Sequence, residues 1–549
     1  MSLNFFIFFA YYFIIIFSIL GYGYFLLSFE RNNKNYLNFG YIGIVGLFFL
    51  TVYSYLSNIF ISHSKNHNVL VIILGLIIFL YFFIKYYKNK VFKKNLIFLI
   101  LFFLVLSIAL FIKKNHDDFP YYHFAYTFNL TQNSLDFGIG KFNHGFRTPS
   151  SIFYLNSLFY LPLAEYYLFN FSAFFIFGFS NIILLKKISN FFEDLKFKVM
   201  KIDYLNYLSL LCFIFINIFF YRLSEHGTDR SAQILVFVLI VYLLETFKLQ
   251  ENNKIDLFFI AILFTLIISL KAFYFLYLLF IVPLFYFLYK KKNKVIPAIK
   301  LLLFKRYSLY SIFLIFLVIL SYFVNTGCLL YPISFTCFES FAWSLSIDSV
   351  NKMNDWYELW SKAGANPNYR VSNPEEYIIE FNWVSNWING YFFNKVSDFI
   401  YGLFFILLIF WLLFRNLKKK KIREKFNIYI LLTYLVLVLI LLEWFFNHPA
   451  LRYGGFCVIA LIIFIPFALY LNRFQISHKK FNKIAIIFVI IAVSVFEIRN
   501  INRVINEVNI YNYKPFNETF YSIDKDYFIL QKKMESLKNN NGFFSKTIF

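Results

Sequence analysis

Runs of about 20 apolar residues recur from one end of this chain to the other, and the breaks between them are mostly short. An α-helix rises 1.5 Å per residue, so a run of that length covers a hydrocarbon core of roughly 30 Å. Fourteen stretches stand out, at roughly 5–27, 40–61, 68–85, 95–112, 165–185, 204–221, 232–247, 257–270, 272–289, 307–324, 398–414, 427–446, 453–471 and 484–497. With 60% of 549 residues hydrophobic, no soluble domain of ordinary size remains between them. The expected fold is an all-α polytopic membrane protein with about 14 transmembrane helices.

A net charge of +24 raises nucleic acid as a partner, but the placement of the charge excludes it. Lys and Arg gather in short loops, at Lys85–Lys94, Lys186–Lys201, Lys290–Arg306, Arg415–Lys425 and Arg473–Lys483. That is the pattern of cytoplasmic loops in a membrane protein. Counting crossings between these clusters works only if residues 257–289 form a hairpin turning near Lys271. The first span lacks a basic leader and a small-residue cleavage site, so it reads as a retained helix.

The remaining polar segments then fall on the opposite face: 113–164, 222–231, 325–397, 447–452 and the tail from 498. Segment 325–397 carries seven acidic and four basic residues, the shortage of positive charge expected outside. Three parts follow: a three-helix membrane segment at 1–94, a core at 95–497 with outer loops 113–164 and 325–397 containing short helices, and a small extracytoplasmic tail at 498–549. The bilayer meant is a bacterial cytoplasmic (inner) membrane.

The first outer loop reads His116-Asp117-Asp118-Phe119-Pro120-Tyr121-Tyr122-His123, and later Asn143-His144-Gly145-Phe146-Arg147-Thr148-Pro149. Ionisable groups near hydrocarbon are costly unless solvated, paired or used. Asp117 and Asp118 either cap and solvate a helix end, or act as a base or hold a divalent cation such as Mg or Mn. His116 and His144 are candidate substrate contacts, and Arg147 can grip phosphate oxygens bidentately.

A second cluster, Arg222 to Gln233, holds Glu225, His226, Asp229 and Arg230. If it is helical, residues four apart share a face; the plain alternative is a pair of exposed salt bridges worth little. Lys271 stands alone among apolar residues and either snorkels to the interface or meets an anion. His448 and Arg452 precede the thirteenth stretch, where a helix N-terminus favours phosphate; Arg452 either binds a lipid phosphate or anchors the interface. Cys328 and Cys337 can close a small disulfide loop in an oxidising exterior, while Cys212 and Cys457 read as core residues. Trp343, Trp356, Trp360, Trp383 and Trp387 either stack on sugar rings or sit in the headgroup belt, the belt suiting Trp383 and Trp387.

In its many spans, and in an acidic pair just after a helix that opens the first outer loop, the chain resembles the GT-C superfamily of integral membrane glycosyltransferases. The family's paired acids map onto Asp117 and Asp118 alone, and residues 95–497 match its plan, the three preceding spans being additional. The resemblance implies transfer of a sugar from a polyprenyl-phosphate donor to a glycan, lipid or protein acceptor of the cell envelope, on the extracytoplasmic face and with inversion. Asp117 or Asp118 would be the base or cation ligand, and Arg452, Arg230 and Lys271 would neutralise the leaving phosphate. A surface-polysaccharide polymerase or ligase, or a transporter or lipid flippase, is the alternative.

Overall fold

The computed structural model describes residues 3–30, 37–112, 118–188, 202–248, 256–365, 371–415, 417–419 and 427–511. Among them the chain is helical, with isolated bridges but no strand. Four helices come first: α1 (Leu3–Ser28), α2 (Phe39–Phe60), α3 (Lys65–Tyr86) and α4 (Lys90–Leu106). Two short ones, α5 (Phe124–Gln132) and α6 (Ser151–Ser157), lie in the first outer loop. Next are α7 (Phe171–Ile188), α8 (Tyr204–Phe219), α9 (Leu223–Lys248), α10 (Leu257–Leu270), α11 (Ile281–Lys292), α12 (Val295–Leu303) and α13 (Arg306–Thr326). The second outer loop carries α14 (Ile347–Lys362), α15 (Pro374–Ile378) and α16 (Val384–Trp387). The chain continues through α17 (Ser397–Phe414), α18 (Ile428–Asn447), α19 (Gly455–Leu471) and α20 (His478–Tyr511).

Each expected apolar stretch coincides with a helix. Among the described residues eleven helical segments are long and apolar enough to cross a membrane, while α8, α10 and α19 are shorter apolar helices. These three pack around α9, and every residue of α10 except Ala261 is buried. A helix too short to span lipid keeps its terminal backbone groups satisfied only where protein surrounds its ends. At the other extreme, α1 and α3 cross so closely that a Cβ added at Gly21 would stand 1.9 Å from the Gly75 carbonyl oxygen. Helix pairs driven by close backbone approach select small residues at such points. Helix α2 packs on α7, α10 and α13, so the first three helices are joined to the rest. His63, fully buried between α2 and α3, bonds Ser57 Oγ through Nε2 (2.9 Å) and Ser157 Oγ through Nδ1 (2.6 Å), tying their turn to α6.

The chain reverses at Lys271, which is extended between α10 and a 3-10 helix, Ala272–Phe280. Phe259 at the start of α10 meets Tyr242, and Phe287 of α11 meets Phe247, so both segments reach the C-terminal end of α9. Lys271 itself lies at the opposite end of α9, paired with Asp229. Basic residues of the loop clusters stand at the Phe247 end: Lys187 pairs with Glu245, Lys248 with Asp203, and Lys418 accepts the Gln475 amide through its backbone carbonyl. The outer loops meet at the other end, where Lys141 Nζ donates to the Ala342 carbonyl (2.6 Å) and the His144 ring packs on Trp356 (5.9 Å).

Two boundaries differ from expectation. Helix α9 begins at Leu223, not near 232, so Asp229 and Arg230 are helical rather than in a loop. Helix α20 runs through residue 498 to Tyr511, where Ile498, Ile501 and Ile505 continue an apolar stripe at helical spacing; the helix anticipated near 524–538 lies outside the described residues.

Candidate functional site

Under the meeting point of the two outer loops lies a cavity of about 1210 Å³. Its walls come from segments far apart in sequence, including Asp118, His144, Arg230, Lys271, His448 and Arg452. Asp118 opens the short π-type turn Phe119–His123 that leads into α5. Arg452 sits in a 3-10 turn, Leu451–Tyr453, that ends at Gly454 (φ 96°), a left-handed position suited to glycine, before α19 starts.

At the cavity floor Arg452 binds two carboxylates. Its Nε donates to Asp229 Oδ2 and its Nη2 to Asp118 Oδ2, each at 3.1 Å. Lys271 pairs with the other oxygen of Asp229. Asp229 has only 3% of its side chain exposed, against 28% for Asp118, so the first is a buried anchor and the second faces the cavity. Gln233, one turn further along α9, donates to the Arg452 carbonyl (3.1 Å) and accepts from the Cys457 amide (3.2 Å). The Arg452 guanidinium lies 5.2 Å from the Trp360 ring and 5.5 Å from the Tyr453 ring, and Lys271 Nζ lies 4.6 Å from Tyr453. Aromatic faces stabilise such desolvated cations.

The electrostatics follow from burial and these pairs. Burial works against the charge of Arg452, yet Asp229, Tyr453 and Asp118 together hold it well above its ordinary range. Burial pushes Lys271 down, opposed by Asp229. His448 is pushed down to about 4 by burial, with Lys362 and Lys271 adding to it, so its imidazole is neutral at pH 7. His144 is lowered by burial and by Arg147, and it shares a hydrogen bond with the Tyr121 hydroxyl (3.1 Å).

Three polar atoms on the cavity wall are shut from solvent and have no hydrogen-bond partner among the described residues: Arg230 Nη1, His448 Nδ1 and Glu443 Oε2. The Arg230 guanidinium is clamped between the Phe220 and Phe456 rings, at 4.6 and 4.3 Å.

A family model for a domain of unknown function, DUF8201, matches residues 5–459. The chain belongs to the DUF8201 family. No curated protein and no solved structure matches it. The DUF8201 match runs from α1 into α19, so it takes in the first three helices, both outer loops and the whole floor of the cavity.

Not every expected residue of the DUF8201 site comes together. Asp117 and His116 lie outside the described residues, as do the side chains of Glu225 and His226. Arg147 turns from the cavity, its Nε donating to the Gly140 carbonyl (2.9 Å). Cys328 and Cys337 form a disulfide, with S–S 2.06 Å. Trp383 and Trp387 are buried rather than in a headgroup belt, because Trp387 Nε1 finds the Pro449 carbonyl (2.9 Å) and both rings pack on Phe445. Gln233 and Tyr453 had not been expected at the site, and Trp360 only as one of five tryptophans able to stack on a sugar ring or sit in the headgroup belt. Gln233 had a signal, an amide four residues after Asp229 inside an apolar helix; Tyr453 had none.

Among the described residues no group of three or more His, Cys, Asp or Glu could hold a metal ion. Asp118 faces the Arg452 guanidinium, and Asp117, the other carboxylate of the expected cation site, lies outside the described residues.

Proposed function

We propose that this DUF8201 protein is a membrane glycosyltransferase that moves a sugar from a polyprenyl-phosphate donor to a cell-envelope acceptor. The observation that carries the reading is Arg452 bridging Asp118 and Asp229 on the floor of a large cavity, beside Lys271 and Arg230. One carboxylate faces the cavity with Arg452 on it, and Lys271 and Arg230 line the same cavity, the groups that acceptor activation and phosphate departure require. The basic loop ends lie at the far end of the bundle, so positive-inside orientation makes the cavity extracytoplasmic in a bacterial inner membrane.

In this reading the acceptor hydroxyl attacks the anomeric carbon and its proton passes to Asp118. The bond from that carbon to the phosphate oxygen breaks, and the electron pair stays on the phosphate. Arg452, Lys271 and Arg230 hold the charge that develops there. A single displacement inverts the anomeric centre and needs one carboxylate, unlike the two-carboxylate arrangement of glycosidases. A carboxylate held by a guanidinium is a weak base. Donor phosphate competing for Arg452 therefore frees Asp118 when the base is needed, coupling donor binding to activation.

The test is mass spectrometry of surface glycans and polyprenyl-linked sugars from a deletion strain, rescued at matched expression with wild type, Asp118→Asn or Asp117→Asn/Asp118→Asn. Loss of one sugar with build-up of its lipid carrier, restored by wild type alone, supports transfer at this site. Full rescue by both variants sinks it. The unpaired Arg230 and His448 atoms favour a second reading, a surface-polysaccharide polymerase or ligase that works through Arg and His. That reading expects Arg452→Lys to abolish function while Asp118→Asn leaves it intact.

A further inference from the structure

Residues 328–338, Cys-Leu-Leu-Tyr-Pro-Ile-Ser-Phe-Thr-Cys-Phe, contain no charged residue and no histidine. They follow directly on α13 and are closed by the Cys328–Cys337 disulfide. A water-facing loop of this size ordinarily carries polar side chains, yet Phe335 is 89% exposed, and Leu329 and Phe338 are exposed beside it. What covers these side chains is read from their continuity with α13. Along that helix Leu309, Ile312, Phe316, Ile319 and Phe323 recur every three or four residues, one stripe of a helix. Leu309, Ile312 and Phe316 are exposed on a segment long and apolar enough to cross a membrane, so this stripe is the lipid-facing one. Its last member, Phe323, packs edge-on against Phe338 (6.2 Å) and Phe341 (5.4 Å). The lipid-facing surface thus runs without a break from α13 onto the loop.

The loop's backbone also suits lipid. Hydrocarbon satisfies no backbone polar group, so a segment that enters it must satisfy its own. Here the Leu329 amide donates to the Thr336 carbonyl, Leu330 to Thr336 Oγ1, Thr336 to the Ile333 carbonyl, Cys337 to the Ser334 carbonyl and Phe338 to the Gly327 carbonyl, all at 3.0–3.1 Å. The opposite side of the loop, Leu330 to Ile333, lines the cavity.

We infer that the disulfide-closed loop Cys328–Cys337 is a membrane-seated finger: Phe335 and Phe338 rest in the outer edge of the bilayer, and the loop forms the wall between lipid and the cavity. The inference stands whether or not the protein transfers sugar.

The test uses the full-length protein in phosphatidylcholine vesicles, some with bromine on the acyl chains. Phe335→Trp adds one indole at a position already in the open, and its fluorescence is taken as the difference from wild type. Lys352→Trp, at a side chain 76% exposed on α14, is the water-facing reference. The inference expects the indole at 335 to emit to the blue of the reference, to lose most of its intensity to brominated chains and to be insensitive to iodide. Quenching by iodide and not by brominated chains would place the loop in water. Protection from both would mean that protein, a second copy or a partner, covers the patch. Either result overturns the inference.

Discussion

Arg452 donates through Nε to Asp229 at 3.1 Å across 223 residues of sequence, and its second arm reaches Asp118 at the same distance. One guanidinium therefore joins the first outer loop, the start of α9 and the turn before α19. A forked, planar cation does this and an ammonium does not.

Replacing Arg452 by Lys is expected to cut activity by about 100-fold or more, since a single ammonium cannot hold both carboxylates. On the proposed glycosyltransferase reading, the measurement is the rate of sugar transfer to acceptor by purified protein, at protein amounts matched by size-exclusion profile. Activity within a few-fold of wild type would show that the fork is dispensable.

Asp229→Asn leaves Lys271 and Arg452 facing each other without their anion. Removing one member of a buried ion pair costs about 3–5 kcal/mol, so thermal unfolding in detergent should move to clearly lower temperature. Asp118→Asn is expected to cost about 1 kcal/mol or less, because that carboxylate is partly exposed and its removal leaves Arg452 paired to Asp229. Equal losses for the two variants would contradict the division into anchor and cavity-facing acid.

The low value of His448 makes stability depend on pH in one direction. Unfolded, the imidazole takes a proton below about pH 6.5; folded, burial holds it off until about 4. The unfolded state binds more protons in that window, so stability falls as pH drops from about 6.5 to about 4, by on the order of 3 kcal/mol. Wild type compared with His448→Gln should show this slope shrinking in the variant. His63, also held low by burial, to about 3, contributes the same sign to both proteins and drops out of the comparison.

Cys328→Ser/Cys337→Ser opens a loop with a sequence separation of nine. By loop-closure entropy the crosslink contributes about 2–3 kcal/mol. The loop's amides are expected to exchange hydrogen faster in the variant, while α13 keeps its protection. Unchanged exchange at Leu329–Phe338 would show that the turn hydrogen bonds hold the loop without the bridge.

The helices were legible in sequence because crossing lipid imposes a length and an apolar composition that can be read locally. The reversal at Lys271 was legible too, through the alternation of basic clusters, although no Gly or Pro marks it. Less was legible of the site. Asp229 and Arg230 were visible as charges and a helical reading of the stretch was open, but nothing local showed that α9 begins at Leu223 and buries Asp229. Trp383 and Trp387 looked interfacial because Trp often is; the Pro449 carbonyl that satisfies Trp387 is 62 residues away.

By itself, then, the sequence determined the helical membrane class, the positions of the helices and the basic end of the bundle. These follow from transfer free energy and charge, which act residue by residue. Tertiary structure alone decided that Arg452 meets Asp229 and Asp118, that Lys271 meets an anion instead of snorkelling, and that Arg147 turns from the cavity. Those outcomes depend on which helix ends pack together, and a buried charge takes whichever partner the packing brings within hydrogen-bond distance.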